Sequence, residues 1–321
     1  MRTTTPLESK SWAYGSSGNL RAVWRIGAFI CVWYLANGVV SATAEPVLSF
    51  LSQRAGGVIG SAEWISALAA LATVAVVLRQ IDGKPWAAVG LARDDAALSK
   101  FARGVELGGA AILLTVVLLF AFGNLHFVAD TTSTFLTGDA SKSPLGAWLT
   151  STARISLLLA PAAFFEELVF RGYLWRVAED STNTATALVV TSILFGAVHL
   201  QNPGANVLAI VNVMLAGVGL GLVRMLTGSL WAAWSAHFVW NWIMAAALHV
   251  SVSGLPMATP GYRATFSGAE WISGGAWGPE GGAVATVVLV AAIAWGAQHS
   301  SFTHILPNFM RRRNNAVAAR G

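Results

Sequence analysis

Three short polar clusters interrupt apolar stretches of this chain: Glu166-Glu167 with Arg171, Phe195 with His199, and His237 with Asn241. Arg171 follows Glu167 by four positions, on the same helix face and in the favourable acid-before-base order. His199 follows Phe195, and Asn241 follows His237, by the same interval, so each pair is co-facial on a helix. Consecutive residues on a helix point about 100° apart, so Glu167 meets Arg171 and Glu166 keeps no local partner. A carboxylate in an apolar wall suits general acid or base work. With two histidines and an asparagine it could activate a water and donate hydrogen bonds to a developing oxyanion. Glu166, His199 and His237 could equally hold a divalent metal such as zinc. Spacing alone leaves the cofactor expectation at none or one such metal.

Ionisable side chains in hydrocarbon are costly, and their presence there marks a working site. Other hydrolase signatures are missing: the sequence has no His-Glu-x-x-His helix and no Gly-x-Ser-x-Gly elbow. The run Gly15-Ser16-Ser17-Gly18 precedes the first apolar stretch. Gly217-Val218-Gly219-Leu220-Gly221 lies inside one apolar helix, with no strand before it, so it is a small-residue packing face rather than a dinucleotide loop.

The elements that must hold these residues are membrane spans. Of 321 residues 55% are hydrophobic and 11% charged, against about 25% charged in a soluble domain. Eight apolar stretches, at 24–42, 62–79, 105–123, 147–170, 184–200, 205–226, 229–249 and 283–299, approach the length of a bilayer-spanning helix. The expected fold is all-α and polytopic, about eight transmembrane helices around an intramembrane polar cavity. Residues 1–20 form a polar tail without a secretory signal, 21–300 the membrane domain, and 301–321 a basic tail. With the N-terminus inside, sixteen of the twenty Lys and Arg residues fall on the cytoplasmic side, and Arg54, Lys142, Arg154 and Arg263 on the other. That bias puts both termini in the cytoplasm. The net charge of +5 therefore faces lipid headgroups and not nucleic acid. Cys31 stands alone within the first span, so no disulfide forms within the chain. The connection 250–282, with Trp271 and Trp277, reads as an interfacial loop, and His126, His249, His299 and His304 as interfacial histidines. Trp234 and Trp240 bracket His237 and are candidates to line the cavity.

The three clusters, in this order and each on its own span, resemble the motifs of the CPBP family, the CAAX proteases and bacteriocin-processing proteins also called Abi. Arg171-Gly172 and the run Leu226-Thr227-Gly228-Ser229-Leu230-Trp231 match the surroundings of those motifs. The likeness covers about 147–249. It implies an eight-span helical fold with a cavity open toward the cytoplasm, and peptide-bond hydrolysis at the membrane surface. By the same resemblance Glu166, His199, His237 and Asn241 are catalytic: Glu166 activates water with His199, and His237 and Asn241 stabilise the oxyanion. Glu167 and Arg171 support the geometry. A metal held by Glu166, His199 and His237 is the alternative mechanism. The expected partners are membrane lipid and a peptide or protein substrate, and the expected location is a bacterial inner membrane. A non-catalytic scaffold or immunity protein of the same fold, and a proton-coupled transporter, are the rival functions. The sequence shows no internal repeat of the kind transporters use.

Overall fold

The computed structural model describes residues 12–14, 20–54, 60–92, 98–129, 144–257 and 262–299. The 15–18 run, Arg2, Lys10, Arg93, Lys142, His304 and the basic tail 301–321 lie outside the described residues. All eight apolar stretches are helical. They form α1 (Ala22–Arg54), α2 (Ser61–Val76), α3 (Leu98–Ala121), α4 (Pro144–Glu167), α6 (Thr184–Val198), α7 (Val207–Thr227), α8 (Leu230–Trp242) and α10 (Ala283–His299), with short helices α5 (Trp175–Ser181) and α9 (Glu270–Ser273) between them. Among the described residues five helical segments are long and apolar enough to cross a membrane: Ala22–Arg54, Ser61–Asp82, Leu98–Ala121, Thr184–Gln201 and Val207–Thr227. Large apolar side chains such as Leu35, Val39, Phe120, Ile193 and Val287 point outward, the arrangement that lipid rather than water solvates. The fold is an all-α polytopic membrane fold. One element departs from it: β1 (Leu125–Ala129) and β2 (Tyr262–Phe266) pair antiparallel, with Phe127 opposite Ala264. The two strands are far apart in sequence, and no hairpin turn announced their pairing.

Local chemistry sets the helix ends. The Asn183 side chain accepts from Thr186 N–H at 2.9 Å and caps α6, and Asn206 does the same for α7 through Ala209 N–H at 3.1 Å. Gly228, in the left-handed region at φ 68°, closes α7. The fourth apolar stretch outruns its sequence-based end at 170. It continues through a π-helical turn (Leu168–Leu174) into α5 and ends at Ser181, because Leu168, Tyr173 and Val177 are still buried against the core. The chain then reverses at 182–183. Glu166 lies fifteen positions before Ser181 and His199 fifteen after Thr184, about 22 Å of helix in each case. The two clusters therefore stand at one depth. A helix ending at 170 would have left His199 about 16 Å deeper than Glu166. Phe170 and Phe195, edge to face at 5.4 Å, confirm the level.

Small residues bring the helices into close contact. A Cβ on Gly221 would fall 2.3 Å from Leu188 Cδ1, and one on Gly217 3.0 Å from Ser192, so the predicted small-residue face packs α7 on α6. Gly104 and Gly108 of α3 lie against the backbone of α8 at Ala232 and Ala236. Cys31 is exposed on α1.

Two interfacial expectations fail. Trp271 is exposed, but Trp277 is buried with Phe195 and Val213 in an apolar cluster, because residues 275–281 fold inward onto the helices. His249 is buried, at φ 53°, with its ring edge to face on Tyr262.

One end of the bundle is tied by a charged knot. Arg25 of α1 bonds Asp82, after α2, at 2.8 Å and Asp180 of α5 at 2.9 Å, and Asp180 also takes Lys84 and Arg176. Burial alone would raise the Asp180 carboxyl. Hydrogen bonds from Arg176, Lys84 and Arg25 outweigh it and hold the group at about 2. A carboxylate depressed on folding stabilises the native state above its unfolded value of about 4, and that contribution fades as pH falls toward 2. In thermal unfolding in detergent, Asp180→Ala should lower Tm at pH 7 by at least about 5 °C. The gap to the unsubstituted protein should narrow at pH 3. A gap that is the same at both pH values would contradict this role.

Candidate active site

The site is built on the π-helical turn that follows α4, a distortion common at functional positions. Glu167 and Arg171 are both fully buried, and Arg171 Nη1 donates to Glu167 Oε1 at 2.9 Å. The same oxygen accepts from His237 Nδ1 on α8, also at 2.9 Å. A carboxylate only accepts, so His237 carries a proton on Nδ1 and turns Nε2 toward Glu166. Glu166 Oε2 lies 3.9 Å from that nitrogen, beyond direct hydrogen bonding, and has no hydrogen-bond partner of its own. The His237 ring is thus set between two carboxylates, and Glu166 has a neighbour from another helix that sequence spacing could not supply.

Arg171 is served by more than its ion pair. Its guanidinium lies 4.1 Å from the centre of the Phe195 ring, a cation–π contact that partly replaces lost hydration. A Cβ on Gly217 would come within 3.2 Å of Arg171 Nη2. Gly217 therefore makes room for the arginine as well as for α6. Phe195 also meets His199 at 4.9 Å and His237 at 5.8 Å between ring centres. One phenyl ring links all three motifs.

His199 ends α6, with Nδ1 2.7 Å from the Phe195 carbonyl. A carbonyl also only accepts, so Nδ1 carries a proton and donates to it, and Nε2 is left free for another partner. His199, His237 and Asn241 border one cavity of about 130 Å³. Glu166 is not among that cavity's walls, and it meets the group through His237. Apart from Asn212, Ser253 and Glu280, the rest of the cavity is apolar. On α7 it follows a single stripe, Asn212, Ala216, Gly219, Leu220, Val223 and Leu226, about 21 Å along the helix. Trp295 of α10 faces it near the far end. Of the two tryptophans bracketing His237, Trp240 lines the cavity, and Trp234 packs with Phe164, Trp231 and Phe101 instead.

Sequence reasoning missed three polar residues of this wall: Asn212, Ser253 and Glu280. Asn212 is the one polar residue in an apolar run of α7, a visible signal. Glu280 sits in the glycine-rich connection read as interfacial, where a lone acid carries no signal.

Among the described residues no group of three or more His, Cys, Asp or Glu is placed to hold a metal ion. Two of the imidazole nitrogens in the proposed set, Nδ1 of His199 and Nδ1 of His237, already serve a carbonyl and Glu167. A metal here would take the remaining Nε2 nitrogens, since a metal-bound imidazole commonly holds its Nδ1–H on a carbonyl or carboxylate.

Residues 144–243 match the family model described as type II CAAX prenyl endopeptidase Rce1-like, the family that the three motifs resemble. No curated protein and no solved structure matches the chain.

Removing one partner of a buried ion pair strands the other, at about 3–5 kcal/mol. Arg171→Met should therefore destabilise the protein by about that amount in denaturant unfolding in detergent. The pair Glu167→Gln with Arg171→Met should recover at least about half of the loss, because neither charge is then stranded. Strictly additive effects would contradict the coupling.

Proposed function

We propose that this Rce1-like chain is an intramembrane endopeptidase that hydrolyses a peptide bond with a water activated by Glu166. The observation that supports it best is the setting of His237: Glu167 holds Nδ1, and Nε2 faces Glu166 at 3.9 Å beside a cavity that His199 and Asn241 also border. Glu166 takes a proton from the water, and the water oxygen attacks the peptide carbonyl carbon. The free Nε2 of His199 holds that water from the other side. The carbonyl oxygen becomes an oxyanion and accepts from the Asn241 amide and from Nε2–H of His237, whose ring, set between two carboxylates, is protonated on both nitrogens in this step. When the tetrahedral intermediate collapses, the C–N bond breaks and the leaving amine takes the proton from Glu166. Arg171 balances the charge of Glu167 and fixes its oxygen. No step uses a metal.

The apolar stripe on α7 supports a substrate class. It runs from the polar group to Leu226, one residue from the helix end, and it fits an extended apolar anchor on the peptide. A prenyl chain, as the family description names it, is one such anchor. The stripe descends toward the end of the bundle that carries Arg25, Lys84 and Arg176. We take that end as cytoplasmic by the positive-inside rule, in a bacterial inner membrane crossed eight times, with the tails 1–20 and 301–321 flanking the membrane domain on the cytoplasmic side.

The test is cleavage of a library of apolar-anchored peptides by the purified chain in proteoliposomes. Glu166→Gln and His199→Ala should each lower kcat by about 10²–10⁴, and Asn241→Ala by about 10²–10³. Activity should survive chelation of divalent metals. Equal cleavage by all variants would remove the proposed chemistry. Activity lost on chelation and restored by zinc would replace the metal-free mechanism.

A further inference from the structure

Outside the matched segment, one buried carboxylate reaches the same cavity. Glu280 sits in the single turn Pro279–Gly281 before α10 and is 8% exposed. Neutral donors serve it. Ser253 N–H and Oγ–H donate to Oε1 at 2.5 and 2.6 Å, and Trp240 Nε1–H donates to Oε2 at 3.1 Å. A buried charge held by neutral groups alone gains little stability over a well-packed apolar residue. What it ties together is therefore informative.

Trp240 stands three residues after His237 and immediately before Asn241 on α8. Ser253 passes the tie onward, because its carbonyl accepts from Asn202 Nδ2 at 2.9 Å, and Asn202 N–H bonds the carbonyl of His199 at 3.1 Å. The turn itself is fixed to α7. Asn212 Nδ2 donates to the carbonyls of Glu280 and Gly282 at 2.8 and 2.9 Å, and Asn212 Oδ1 accepts from Thr286 at 2.7 Å. The carboxylate thus joins the helix bearing His237 and Asn241 to the segment that ends α6 at His199.

We propose that Glu280 is a positioning residue of the site: its two oxygens hold α8 at Trp240 and the 250–257 segment at Ser253, and so set His237, Asn241 and His199 against one cavity wall. It does not touch the reacting atoms. The catalytic consequence rests on the endopeptidase reading, but the tie itself does not.

Two readouts separate these. The first needs no activity. In a Cys31→Ser, Asn241→Cys background in lipid nanodiscs, the introduced thiol is reacted with N-ethylmaleimide. Glu280→Ala should raise the labelling rate by about tenfold or more as the wall loosens. Glu280→Gln can serve Ser253 or Trp240 but not both, so it should raise the rate by less. Trp240→Phe, which removes only the indole donor, should match it. These two milder variants keep the test decisive if Glu280→Ala does not fold. The second readout is peptide cleavage with the native Asn241. Glu280→Ala should lower kcat by up to about 10²-fold while KM moves by less than about threefold.

A labelling rate within about twofold of the parent in Glu280→Ala, or in both milder variants, would overturn the proposal. Faster labelling with unchanged kcat would reduce Glu280 to a structural tie and overturn its positioning role. Faster labelling in a chain that cleaves no peptide even when unsubstituted would overturn the endopeptidase reading and leave the tie standing.

Discussion

One buried carboxylate oxygen, Oε1 of Glu167, accepts from Arg171 and from His237 at the same 2.9 Å. Glu167 and Arg171 have no access to solvent, so each charge depends on the other and on His237 for the interactions that water would otherwise supply. The surrounding structure answers that demand. Phe195 of α6 covers the guanidinium, Gly217 of α7 leaves space beside it, and α8 delivers the imidazole. Four helices take their register from this point.

The two ends of the bundle are fastened by different means. At one, Arg25, Asp82, Lys84, Arg176 and Asp180 form an ionic knot between α1, the end of α2 and α5. At the other, Glu280 and Asn212 tie the 250–282 segment to α7 and α8 through neutral donors. The site lies between them, nearer the second. The apolar stripe of α7 runs from there toward the first. The π-helical turn matters to both halves. It carries the chain from Glu167 on to Ser181, far enough for α6 to return with Phe195 and His199 at the level of the glutamates.

Much of this was legible in the sequence. The eight helices followed from apolar length, the Glu167–Arg171 pair from helical spacing, and the α6–α7 contact from Gly217 and Gly221. What was hidden was set by tertiary contacts. Spacing showed that Glu167 would meet Arg171, but not that His237 would take the same oxygen across seventy residues of chain. It gave Glu166 no partner, and the partner came from α8. The continuation through Leu168–Leu174 was missed because Arg171-Gly172 reads as the end of an apolar run, whereas the buried ion pair removes the reason to stop there. Trp277 and His249 were placed at the interface by residue type, and they are buried because residues 275–281 fold back onto the helices and Tyr262 packs on the histidine. Glu280 had no spacing partner at all, since its contacts, Ser253 and Trp240, come from elsewhere in the chain.

The sharing of the Glu167 oxygen can be observed directly by NMR of histidine-labelled protein in nanodiscs. His237 should show a protonated Nδ1 with a strongly deshielded, slowly exchanging proton. That signal should vanish in Glu167→Ala while the His126 signals stay in place. A His237 resonance protonated only on Nε2, or one indifferent to the loss of Glu167, would contradict the arrangement on which the site is built.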